Sequence, residues 1–90
     1  MTKQKLSLFE ETVFENVKAE LLSAIDLYGS FHSAHEGFAV IQEEVDELWD
    51  LVKQRNPSKK EMNKEAIQIA AMAIRFVLDV QTPGSKPTGE

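Results

Sequence analysis

Three times the chain places a serine three positions ahead of a glutamate at the head of an apolar pattern: Ser7 and Glu10, Ser33 and Glu36, Ser58 and Glu61. In such a pair the hydroxyl accepts from an orphan N–H in the first helical turn, and the carboxylate reaches back to the N–H of the serine. One match is a weak signal. Three, divided by breakers at Gly29, Ser30 and His32 and again at Asn56–Pro57, cut the chain into three helices. The spacing predicts them over about 8–28, 34–54 and 59–80.

The apolar positions carry the argument from helices to architecture. Val13, Val17, Leu21, Ala24 and Tyr28 recur at three- and four-residue intervals, as one face of a helix requires. From Ala66 to Val80 the third segment is apolar nearly all the way round, and such a helix must be covered on every side. Two companions are too few. The expected fold is all-α: an antiparallel bundle of three main helices per chain, completed into a four-helix-type bundle by oligomerisation. A chain of 90 residues holds one domain, here 1–81, and its small core makes assembly a natural remedy. The last stretch, 82–90, has two prolines, two glycines and no apolar residue, so it is expected to be a flexible tail.

Composition removes several classes of function. With no cysteine, disulfides, thiolate nucleophiles and Cys-based zinc sites are excluded. A formal net charge of −5 has the wrong sign for neutralising nucleic-acid phosphates, so no nucleic-acid partner is expected. No apolar run approaches the roughly 20 residues that cross a bilayer, and no signal-like stretch opens the chain. The expectation is a cytoplasmic protein with no membrane partner.

The second helix holds the most informative residues. Phe38, Ile41, Val45, Leu48, Trp49 and Val52 make one broad apolar sector, and Glu44 and Glu47 sit one turn apart at its edge. Two carboxylates there repel each other and each costs free energy to desolvate, unless something positive binds between them. Mg²⁺ or Mn²⁺, which take carboxylate and water ligands, are the natural occupants. The third helix has its polar groups Glu61, Glu65, Gln68, Arg75 and Asp79 on one narrow stripe. Glu44 precedes Asn56 by twelve residues and Gln68 follows Pro57 by eleven, which brings the two sets roughly level in an antiparallel pair. The residues also permit a plainer arrangement, in which the acids are a solvated face and the stripe is the one solvent-exposed line of its helix.

Glu43-Glu44-Val45-Asp46-Glu47 resembles the E-E-x-x-E motif of the MazG-like all-α nucleoside triphosphate pyrophosphohydrolases, in particular the short single-domain type of phages and bacteria. Lys64-Glu65-Ala66-Ile67-Gln68 stands where that superfamily usually shows E-x-x-D, and the likeness covers about residues 34–80. The resemblance implies Mg²⁺-dependent hydrolysis of an NTP or dNTP to the monophosphate and pyrophosphate, by a homodimer or homotetramer. It implies Glu44, Glu47 and Glu65 as metal ligands, Gln68 at a fourth position, and Glu43 as a further ligand or water-orienting group. Glu43, Glu44 and Glu47 would be the catalytic set. The chain departs from the motif at Gln68, where a neutral carbonyl oxygen replaces a carboxylate. A catalytically weak or inactive helical oligomer that binds nucleotide or a protein partner is the alternative this departure keeps open.

Lys60, Lys64 and Arg75 are the expected contacts to a phosphate tail, with Lys53, Arg55 and Lys59 nearby. His32 and His35 lack ligand spacing and are expected in the loop and the first turn of the second helix. Phe38 and Trp49 are expected in the core or at an interface. Glu20 lies on the apolar face of the first helix with no role assigned by the sequence.

Overall fold

The computed structural model describes residues 5–80, in which three helices follow in order: α1 (Leu8–Tyr28), α2 (Ala34–Val52) and α3 (Lys59–Asp79). The segment 82–90 lies outside the described residues. Each helix starts where its serine sits, because Ser7, Ser33 and Ser58 each accept from the N–H three residues on. The reciprocal half closes only at Ser7, whose N–H donates to Glu10 Oε1 at 2.8 Å. Glu36 instead accepts from the His32 N–H, one residue before the cap, and its carboxylate lies 3.3 Å from His32 Nδ1. α2 ends at Val52, two residues short of the expected 54, and Gly29 ends α1 with φ of 72°, a backbone geometry that a side chain would strain.

α3 is the central element. It packs against α1 on one side and α2 on the other, while α1 and α2 do not pack against each other. Close pairs along the α2–α3 seam run from Gly37 beside Phe76 to Glu44 beside Glu65, so these helices are antiparallel. The seam is tight at Gly37: a Cβ there would lie 2.6 Å from Phe76 Cδ2 and 3.1 Å from Phe31 Cδ2. The buried core is small. It comprises Val17 and Ala24 of α1, Phe31 of the connection, and Ala71 and Met72 of α3, with Val40, Ile41, Ile67 and Phe76 packed around it.

The distribution of polarity decides between alternatives that the sequence leaves open. The polar stripe of α3 is not its solvent line: Glu65, Gln68 and Asp79 are half-buried and Arg75 is buried, whereas only Glu61 is exposed. Phe38 and Trp49 do not enter this chain's core either, being 61% and 58% exposed. Only the Ile41 edge of their sector reaches the core, because the seam is made by Gly37, Val40, Ile41 and Glu44, and this leaves Phe38, Val45, Trp49 and Val52 exposed.

Candidate functional site

The carboxylates of Glu44, Glu47 and Glu65 converge across the α2–α3 seam, with one oxygen of each lying within 4.8 Å of the others. The convergence follows from helical geometry. Residues three apart in α2 share a face, and the short Asn56–Pro57 connection sets Glu65 level with them. Glu44 and Glu65 are half-buried and Glu47 is exposed, so the group opens to solvent on the Glu47 side. Oε1 of Glu44 and Oε1 of Glu65 are buried and have no hydrogen-bond partner among the described residues.

Ionisation is costly in this arrangement. Burial, the hydrogen-bonding position of Glu65 and the charges of Glu47, Glu65 and Glu43 together push the Glu44 carboxyl from 4.5 up to about 7. The Glu47 carboxyl is raised as well, by desolvation first and then by the charges of Glu65 and Glu43. A protonated Glu44 can donate to Glu65. With both ionised, no donor reaches the two buried oxygens, and three negative charges face one another. Three oxygen donors at this separation, two carrying oxygens that nothing else satisfies, match the donor set that Mg²⁺ or Mn²⁺ takes. An acidic cluster of this kind also occurs in proteins that bind no ion.

Two cavities flank the cluster. The larger, about 520 Å³, lies under the α1–α2 connection and reaches Glu43, Glu44 and Gln68 at one end, and Tyr28, Phe31 and Arg75 at the other. The second, about 440 Å³, opens at the α2–α3 connection and is lined by Glu47 and Glu65 together with Lys60 and Lys64. Lys60 and Lys64 thus stand beside the cluster, while Glu43 is exposed at its rim.

Arg75 occupies a different setting. It is buried, its Nη2 donates to the Gly29 carbonyl at 2.7 Å, and its guanidinium lies 4.0 Å over the Phe31 ring. Asp79, 3.6 Å from Arg75 Nε, also accepts from the Phe31 N–H at 3.0 Å. The pair therefore fastens the α1–α2 connection to the last two turns of α3 and forms the far wall of the larger cavity. His35 is exposed in the first turn of α2, and His32 sits in the bend before its cap.

Some residues of this site carry no sequence signal. Phe31 follows two breakers and belongs to no periodic row, and Glu36 is legible only as a cap, yet both line the larger cavity. Glu20, on the apolar face of α1, is half-buried on the same wall, which gives its odd position a place. Comparison with protein-family models, characterised proteins and solved structures finds no match for this chain.

Proposed function

We propose that the chain is a Mg²⁺-dependent nucleoside triphosphate pyrophosphohydrolase, with Mn²⁺ as an alternative ion, converting an NTP or dNTP to the monophosphate and pyrophosphate. One observation carries this reading: three carboxylates meet across two helices, and two of them hold buried oxygens with no hydrogen-bond partner among the described residues. The resemblance of Glu43–Glu47 and Glu65 to MazG-like motifs supplies the reaction.

Glu44, Glu47 and Glu65 would hold the metal, with Gln68, which lines the larger cavity together with Glu44, as a neutral fourth donor through its carbonyl oxygen. A divalent cation held there would neutralise charge at the phosphates and make a nearby water more acidic. Glu43 adjoins Glu44 on the open rim, where it can orient a water and take up its proton as that oxygen attacks the α-phosphorus. The bond to the β-phosphate oxygen then breaks, and pyrophosphate leaves with its charge facing Lys60 and Lys64. Arg75 acts at one remove, by holding the connection that walls the cavity.

The same reading includes assembly as a homodimer or homotetramer in the cytoplasm. It is supported by the rings left exposed in a single chain: Phe9 at 76%, Phe14 at 61%, and Phe38 and Trp49. Scattered apolar side chains are ordinary at surfaces, but several large aromatic side chains on a domain this small favour a second copy. Among the described residues no helix is long and apolar enough to cross a membrane. Gln68 favours the second reading, a helical oligomer that binds nucleotide or a protein partner and turns nucleotide over weakly or not at all, because its amide lies where a charged ligand would strengthen the site.

The test is a panel of NTPs and dNTPs with Mg²⁺ or Mn²⁺, scored for pyrophosphate against orthophosphate. Pyrophosphate release from at least one substrate is expected, with a loss of about 100-fold or more in Glu44→Ala and in Glu47→Ala. Full activity in both variants would overturn the site; saturable nucleotide binding without turnover would establish the second reading. Light scattering at micromolar concentration should give the mass of two or four chains, and a monomer mass would remove the assembly.

A further inference from the structure

The second motif is one acid short at Gln68, while α1 carries an acid on its inner face that nothing in its own packing requires. Glu20 stands three residues after Val17 and four before Ala24, the two buried residues of α1, so helical geometry points it inward with them. It is half-buried, and no hydrogen bond or ion pair holds it among the described residues. Lys60 and Lys64 share a third cavity with it, of about 500 Å³, between α1 and α3, yet neither pairs with it. A half-buried carboxylate without a counter-charge costs free energy of desolvation, which an apolar residue at the same position avoids.

The larger cavity sets Glu20 opposite the glutamate cluster. Glu43 and Glu44 of α2 and Gln68 of α3 line it together with Glu20, and α1 and α2 do not pack against each other, so open space separates the acid of α1 from those of α2. The one other carboxylate on this cavity, Glu36, is engaged by His32. Glu20 is not one of the three carboxylates that converge within 4.8 Å, so its distance suits a contact made through water. Mg²⁺ and Mn²⁺ suit such a contact: Mg²⁺ in particular keeps several of its waters when a protein binds it, and a group that fixes a coordinated ligand contributes strongly to affinity. Gln68 fits the same arrangement. Its amide offers both an N–H donor and a carbonyl acceptor, and so tolerates Glu20 across the cavity, whereas an aspartate there would oppose Glu20 with a like charge.

Resting on the reading that the cluster holds a divalent cation, we infer that Glu20 supplies from α1 the negative charge that Gln68 lacks on α3. It is a positioning residue and not a ligand. Its carboxylate accepts hydrogen bonds from waters on the cation, on the side of the larger cavity, and α1 thereby becomes part of the metal site.

Mn²⁺ is titrated calorimetrically into the full-length protein without nucleotide, and water-proton relaxation counts the waters on the bound ion. Glu20→Gln should raise the Kd of Mn²⁺ about tenfold and leave the number of waters unchanged. Glu15→Gln removes the same charge from an exposed position of α1 and should change the Kd by less than about twofold. Gln68→Asp should recover most of the loss in the Glu20→Gln background and gain less in the native one, because one charge then stands in for the other. An unchanged Kd in Glu20→Gln, as expected if Glu20 merely balances Lys60 and Lys64, overturns the assignment. So does an equal loss in Glu15→Gln, or the same effect of Gln68→Asp in both backgrounds. A gain of one water in Glu20→Gln overturns it too, by making Glu20 a direct ligand. Glu44→Ala separates this inference from the reading beneath it. Binding lost in Glu44→Ala but untouched in Glu20→Gln removes Glu20 alone, whereas a native protein that takes up no Mn²⁺ removes the metal site and the role of Glu20 with it.

Discussion

Arg75 and Glu65 stand ten residues apart on α3 and both turn inward, yet their surroundings differ in kind. Around Arg75 the chain supplies an acceptor, an aromatic face and a counter-charge, in Gly29, Phe31 and Asp79, although Nε itself makes no hydrogen bond among the described residues. Around Glu65 it supplies two more carboxylates and leaves buried oxygens without donors. A buried charge costs several kcal/mol unless it is answered, so a fold keeps an answered one for structure. An unanswered one is what the proposed metal would complete, and that contrast separates the two ends of α3 more sharply than residue type does.

The largest effect on the fold should come from unanswering the first charge. Asp79→Ala leaves Arg75 buried beside an empty place and frees the Phe31 N–H, which should cost about 3 kcal/mol in denaturant unfolding. The equivalent change at the other end, Glu44→Ala, should leave stability level or raise it while activity is lost. If the two substitutions destabilise the chain equally, the contrast has no energetic basis.

A smaller effect is expected where the seam itself is tight. Gly37→Ala places a methyl group 2.6 Å from the Phe76 ring, so the ring or the helix must shift, at about 2 kcal/mol. Because Phe76 and Phe31 share that contact, the strain should appear at the Arg75 end and spare the glutamates. Chemical-shift changes confined to the cluster would contradict that division of the molecule.

How much of this was legible in the sequence depends on the distance over which each interaction acts. The helix starts are set by a hydroxyl and an N–H three residues apart, so Ser7, Ser33 and Ser58 placed them correctly. The meeting of Glu44 with Glu65 could be counted across a short connection, because two antiparallel helices joined by a tight turn stay in step. The answer to Arg75 could not. Its acceptor, Gly29, is 46 residues away and belongs to no periodic pattern, so Arg75 read as a polar residue on a stripe and a contact for a phosphate tail. For Phe38 and Trp49 the sequence left core and interface open for a related reason: amphipathicity says that a sector is apolar, but not whether its cover comes from this chain or from another copy, and the structure excludes only this chain's core.

The smallest predicted effect tests the unanswered charge directly. In the metal-free protein Glu44 holds its proton up to about pH 7, whereas in the unfolded chain it loses it near 4.5. Below the lower value both states are protonated and the folded state keeps its full stability. Between the two, only the folded state retains the proton, so stability falls as pH rises through about 7. Glu44→Gln removes this slope and should gain about 1 kcal/mol at pH 8, a modest figure because water reaches the cluster on the exposed Glu47 side. Mg²⁺ should reverse the sign for the native sequence, since it competes with protons for the same oxygens and binds better as pH rises. Thermal melts at pH 5 and pH 8, with and without Mg²⁺, read all of these changes. If native and Glu44→Gln proteins keep the same slope, and Mg²⁺ alters neither, the cluster is merely solvated and the contrast along α3 is lost.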